Sequence, residues 1–259
     1  MSRIAIVSAM REELRALLAQ MPDEAPQVRG GREFWVGHLD GHEVVTVLSG
    51  IGKVAAATTA TLLCAEFGVE RAVFTGTAGG LHERVRVGDV VVADALLQHD
   101  MDASPIFPRY EVPLYGTDRF AADASMSAAL EAAARAVLAD ARAKEPDRDG
   151  LDATLLGEFG IDAPEVHTGL VVSGDRFVAS AAESSALRTS FPGALACEME
   201  GAAVAQVCFD FGVPFAVIRT VSDRADDLAH VDFSRFIAEI ASRYSLAIVR
   251  RYLRRHPIA

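Results

Sequence analysis

Short β-branched runs alternate with segments of helical period along most of this chain, and that alternation limits the fold more than any single motif. Ile4-Ala5-Ile6-Val7 precedes an amphipathic stretch in which Arg11, Glu12, Glu13, Leu14, Leu17 and Leu18 recur at helical spacing. Val166 to Val172 precedes a helix over Ala181 to Ser190, and Ala194 to Cys197 gives way to Ala203, Val204, Val207, Cys208 and Phe211. Further strands are expected at Arg71 to Phe74, Gly88 to Ala93 and Pro214 to Thr220, with helices over Val54 to Phe67, Ala124 to Ala143 and Phe233 to Arg254. Arg32 to Leu39 and His42 to Leu48 flank Asp40-Gly41, a dipeptide suited to the positive φ angles of a hairpin turn. Strands and helices in this order, without an internal repeat, predict an α/β fold with helices on both faces of a sheet.

The 259 residues suffice for a sizeable core, and we read them as one domain over 1–259. Lys144 to Asp152, charged and containing Pro and Gly, is expected to be exposed, within a variable insertion around 144–165. The net charge of -11 repels polyanions, which disfavours nucleic acid and anionic membranes and favours a small-molecule ligand. Met1-Ser2-Arg3 leads straight into a strand-like run, and no apolar stretch is long enough to span a bilayer, so the expected location is cytoplasmic. Cys64, Cys197 and Cys208 lack metal or redox spacing and read as small buried hydrophobes. His99-Asp100-Met101-Asp102 does not make a metal site, because adjacent residues of an extended chain face opposite ways. Neither metal nor cofactor is expected.

Candidate chemistry gathers where predicted strands end, which is where α/β sheets bind ligands. Glu198-Met199-Glu200 sets two carboxylates at a strand-to-helix junction; by residue type alone they read equally as first-turn acids complementing a helix dipole. Glu13 sits in the first turn of a helix, which favours the ionised carboxylate that a general base needs. Thr75-Gly76-Thr77-Ala78-Gly79-Gly80 reads as a loop whose backbone amides approach a polar ligand. Gly52-Lys53 is not a phosphate loop, since Val54 stands where magnesium needs a hydroxyl. Three prolines in Ser104 to Gly116 forbid regular structure there and predict an apolar irregular loop. Arg250, Arg251, Arg254 and Arg255 are expected to complement the end of the last helix.

Six stretches taken together resemble the methylthioadenosine/S-adenosylhomocysteine nucleosidases of the purine nucleoside phosphorylase superfamily. They are Ala9-Met10 through Glu13, Ser49 to Lys53, Thr75 to Gly80, Ser173-Gly174-Asp175, Glu198-Met199-Glu200 and Ser222-Asp223, in the family's order along nearly the whole chain. The resemblance implies a three-layer α/β/α fold with a central mixed twisted sheet, nucleoside phosphorylase-like. It also implies a homodimer and cleavage of the bond between a purine and ribose. Asp223 then looks like the general acid toward adenine N7, with Ser222 beside it, and Glu13 like the base that activates water. Glu200 would accept hydrogen bonds from ribose hydroxyls, and Met199 would pack on the sugar. Arg219 and Thr77 would lie around ribose and water, in a pocket that includes Ala78 and Gly79. Phe177 and Val178 would hold the base, Ile51 and Phe233 would line the pocket for the 5′ group, and Met10 would also contact the substrate.

Departures from the family are local. The Ser104 to Gly116 loop, which in the family reaches the partner's 5′ pocket, does not look typical, and Lys144 to Glu165 is longer than usual. Thr77 replaces the commoner Ser, and Gly201 the commoner Ala. Hydrolases and phosphorylases share the fold. Phe74 stands where similar phosphorylases carry a phosphate-binding Arg, which favours hydrolysis, although Arg11 remains able to reach an anion. A non-catalytic nucleoside-binding protein would have lost Glu13, Glu200 or Asp223, and a dinucleotide oxidoreductase would need a glycine fingerprint that is missing.

Overall fold

The computed structural model describes residues 3–143, 151, 153–225 and 233–255, apart from the side chain of Phe233. Among these residues ten strands form one mixed sheet. In chain order they are β1 (Ile4–Ser8), β2 (Ala25–Arg29), β3 (Arg32–Leu39), β4 (His42–Leu48), β5 (Arg71–Gly80), β6 (Val90–Gln98), β7 (Arg119–Ala121), β8 (Val166–Ser173), β9 (Ala194–Glu198) and β10 (Phe215–Asp223). The helices are α1 (Arg11–Leu18), α2 (Lys53–Ala65), α3 (Ala124–Arg142), α4 (Ala153–Glu158), α5 (Ala181–Ser190), α6 (Gly201–Phe211), α7 (Phe233–Phe236) and α8 (Ser242–Arg255).

Alternation along the strands makes the layers. On β1, Ile4 and Ile6 enter a core shared with α1, α3 and α8, whereas Ala5 and Val7 enter the opposite core with α2 and α6. The sheet also closes on itself, because β5 pairs with β10 as well as with β1 and β9. Strands β10, β6, β8, β9 and β5 thus make a ring, extended beyond β1 by the β4-β3-β2 meander.

Four expectations change. Thr75 to Gly80 is strand, not loop: β5 runs parallel to β10 as far as Gly79 and antiparallel to β9 at Gly79 and Gly80. Its glycines are there for crowding, since a Cβ on Gly79 would stand 2.8 Å from that of Ala225, and one on Gly80 would stand 3.1 Å from Val221. The C-terminal helix is broken, because Ile237–Ala241 forms a π-helical turn between α7 and α8. Residues 144–150 and 152 lie outside the described residues, but Leu151 is wholly buried and Leu156 of α4 joins the same core. The terminal arginines reach across the fold instead of capping their helix. Arg250 and Arg254 both bind Asp40 in the hairpin turn, at 2.9 and 3.1 Å, and Arg251 pairs with Asp140 of α3. The hairpin turn itself is as expected, with Asp40 and Gly41 at φ 47° and 89°.

Candidate active site

Six strands of the described fold end around one cleft of about 740 Å³. Ala9 and Met10 follow β1, Ile51 follows β4, and Thr77, Ala78 and Gly79 belong to the last turn of β5. Arg176, Phe177 and Val178 follow β8; Cys197, Glu198, Met199 and Glu200 come from the β9–α6 junction; Ser222 and Asp223 end β10. This gathers eleven of the expected residues. Glu13 and Arg219 are enclosed behind the cleft, both fully buried, and the side chain of Phe233 lies outside the described residues.

The two carboxylates of the Glu198-Met199-Glu200 stretch divide the work. Glu198 takes the structural part: its Oε2 accepts from Arg219 Nη2 at 2.6 Å, and its carboxylate accepts from the amides of Glu200 and Gly201 at the start of α6. Ser173 Oγ donates to it as well. Arg219, held in this way, lies with its guanidinium 4.0 Å over the ring of Phe74, which seals that strand position with carbon. Glu200 Oε1 instead accepts from the Gly52 amide at 2.8 Å. Burial, then the charge of Glu198, pushes Glu200 up to about 7.

Glu13 is the second perturbed acid. Its Oε2 accepts from the Met10 amide at 3.2 Å and its Oε1 from Ser245 Oγ at 3.3 Å. Burial pushes it up to about 7, against the opposing charge of Arg219. Asp223 is held from both sides, by Ser222 Oγ at 2.8 Å and the Ala225 amide at 2.7 Å. Among the described residues, Ser8 Oγ and Arg219 Nε are buried without a hydrogen-bond partner. Such groups ordinarily bind an ordered water or a ligand.

Other motif residues turn out to build the walls. Asp175 accepts the Lys53 amide at 2.7 Å and donates its own amide to Asp100 at 2.8 Å, while Lys53 Nζ reaches Gln98 at 3.1 Å and also Asp100. The Ser-Gly-Asp stretch therefore clamps the start of α2. Sequence reasoning gave no site role to Ala9, Arg176, Cys197 or Glu198, although each lies inside or next to a stretch it singled out. Arg11 lines a separate groove with Arg15 and Arg32. No group of three His, Cys, Asp or Glu among the described residues is placed to hold a metal ion, and no described helix is long and apolar enough to cross a membrane.

The family described as the Phosphorylase superfamily matches residues 3–254. Among solved structures, the chain is similar to 5′-methylthioadenosine/S-adenosylhomocysteine nucleosidase from Neisseria meningitidis in complex with methylthio-immucillin-A. They share 34% identity over 98% of this chain and 100% of that one, with a TM-score of 0.82. The S-adenosylhomocysteine nucleosidase of Streptococcus pyogenes in complex with 5-methylthiotubericidin is 32% identical over 99% and 98%, with a TM-score of 0.81. A futalosine hydrolase mutant of Helicobacter pylori is 30% identical over 97% and 98%, with a TM-score of 0.79. With the mixed sheet, the strand-end cleft and these likenesses in hand, the chain belongs to the phosphorylase superfamily and, within it, to the family of methylthioadenosine/S-adenosylhomocysteine nucleosidases.

Proposed function

We propose that this protein hydrolyses the N-ribosidic bond of adenosine-type nucleosides such as 5′-methylthioadenosine or S-adenosylhomocysteine, releasing adenine. The observation that carries the proposal is that Glu200 and Asp223 line one cleft while Glu13, buried behind it, is tied to the amide of the lining residue Met10. Breaking this bond builds positive charge on the sugar and negative charge on the purine, so the site has to protonate the base and deliver water to C1′. Asp223, steadied by Ser222, is the proposed acid. Glu13 is the proposed base, and a carboxylate with its pKa near 7 is matched to that task. Glu200 takes the ribose hydroxyls, with Met199 against the sugar and Thr77, Ala78 and Gly79 along the adjoining wall. Phe177 and Val178 hold the base, Ile51 faces the 5′ group, and Met10 lines the same cleft. Arg219 acts from behind through Glu198; its charge is felt by Glu13, and its unpaired Nε supports a seat for the attacking water.

Water as nucleophile is supported by Phe74, whose ring fills the strand position under Arg219, and by Arg11 lying outside the cleft. The test is base release in phosphate-free buffer. Hydrolysis predicts undiminished release and a free reducing sugar; strict dependence on phosphate, with a sugar 1-phosphate as product, would overturn it.

We further propose a cytoplasmic homodimer. The three free cysteines suit a reducing compartment. Leu114, Phe209 and Phe211 are 90%, 61% and 47% exposed, and the Tyr115 ring lies 6.0 Å from that of Phe209, tilted by 53°, so the 104–116 loop and the end of α6 share an apolar face. That face supports the loop lying near the partner's pocket.

A further inference from the structure

A second groove, of about 1420 Å³, runs between α1 and β3 and is lined by Arg11, Arg15, Arg32, Glu33, Trp35 and Gly50 among others. Three guanidiniums face one carboxylate there, in a chain whose net charge is -11. Arg32 spends its hydrogen bonds on neutral oxygens, Thr59 Oγ1 at 2.8 Å and the Gly30 carbonyl at 3.0 Å. Arg11 and Arg15 are exposed and form no ion pair with any described residue, whereas most described arginines do, from Arg3 with Glu43 to Arg254 with Asp40. Their placement is unfavourable for the helix itself. They stand four residues apart on α1, where like charges repel, and Arg11 is its first residue, where the macrodipole repels cations.

The groove shares a wall with the cleft. Met10 lines the cleft and Arg11 the groove; Ile51 lines the cleft and Gly50 the groove. The cleft and the groove thus meet along the Met10-Arg11 and Gly50-Ile51 segments, next in the chain to Gly52, whose amide holds Glu200. Under the nucleosidase reading, on which this inference rests, Glu200 holds the ribose, and a substituent on C5′ leaves the cleft across Met10 and Ile51. We propose that Arg11 and Arg15 are specificity-determining residues that bind the anionic end of a long 5′ substituent, so that the enzyme favours nucleosides whose 5′ group ends in a carboxylate. A carboxylate placed there offsets both the repulsion between the two arginines and the conflict of Arg11 with the helix dipole, and guanidinium forks suit its geometry.

The experiment compares two nucleosides, 5′-methylthioadenosine with its short neutral tail and S-adenosylhomocysteine with a carboxylate at the end of its tail. The expected result is that the ratio of kcat/KM for the carboxylate-tailed to the neutral substrate falls at least tenfold in Arg11→Ala/Arg15→Ala. The fall should come through KM, and Arg11→Lys/Arg15→Lys should restore much of it. The wild-type ratio should also shrink as salt is raised. A ratio unchanged in the double alanine variant overturns the proposal and leaves the nucleosidase reading standing. Equal losses on both substrates also overturn it, since the arginines would then serve the fold or the cleft in general. Failure of the wild type to cleave either nucleoside would instead overturn the nucleosidase reading, and this inference with it.

Discussion

Two carboxylates two residues apart behave differently because one is neutralised and the other is not. Glu198 meets Arg219 and two amides; Glu200 meets one amide and the field of Glu198. Composition and spacing cannot separate them, since their fates depend on Arg219 arriving from β10. The raised pKa values of Glu13 and Glu200 have a definite sign for stability. A carboxyl whose folded pKa lies above its unfolded value contributes fully below about pH 4.5, and the contribution fades as pH climbs through about 7. At pH 8 each therefore carries a buried charge. Glu200→Gln should raise stability at pH 8 by roughly 1 to 3 kcal/mol, with a gain that vanishes near pH 4.5; thermal melts at the two pH values check this. Under the proposed mechanism the same ionisation sets the rate. If Glu13 is the base, kcat/KM climbs through about pH 7, and Glu13→Gln is both slow and flat in that range. For Asp223→Asn, which keeps the shape but loses the proton, turnover should fall by roughly 10² to 10⁴. Near wild-type turnover in that variant would move the proton donor elsewhere.

At the scale of elements, the strand-helix alternation was legible because burial on both sheet faces imposes it on every segment. What misled was glycine. Gly76, Gly79 and Gly80 read as a loop, yet they lie in β5 because side chains from β10 and the turn after it fill the space a Cβ would need. For Gly79 that space is occupied by Ala225 at 2.8 Å and by Asp223 Oδ1 at 3.0 Å. Gly79→Ala should therefore cost about 1 to 3 kcal/mol by overpacking, measured by urea unfolding. It should also reduce kcat, because the added methyl displaces Asp223; normal kcat at reduced stability would separate the two roles. The basic end of α8 misled for a related reason. A run of arginines at a helix terminus satisfies a local rule, and only the fold brings Asp40 within 3.1 Å of it.

The whole molecule brings sites together that no local pattern records. The motifs named most of the cleft, but their partners, Gly52 with Glu200 or Ser245 with Glu13, lie far apart in the chain. If the apolar face of Leu114, Phe209 and Phe211 is the dimer contact, Phe209→Asp should sediment as a monomer; a dimer unchanged by it removes this face from consideration. The ring of strands has a consequence for how the molecule comes into being. Its closing pair joins Ala72 to Phe215, and the innermost strand β5 must wait for β10 before it has neighbours on both edges along its length. Contacts so distant in sequence form late and slowly. A nascent chain emerging in order from the ribosome thus carries Glu13 into the open long before there is a cleft to hold it, and the cleft closes only as β10 docks.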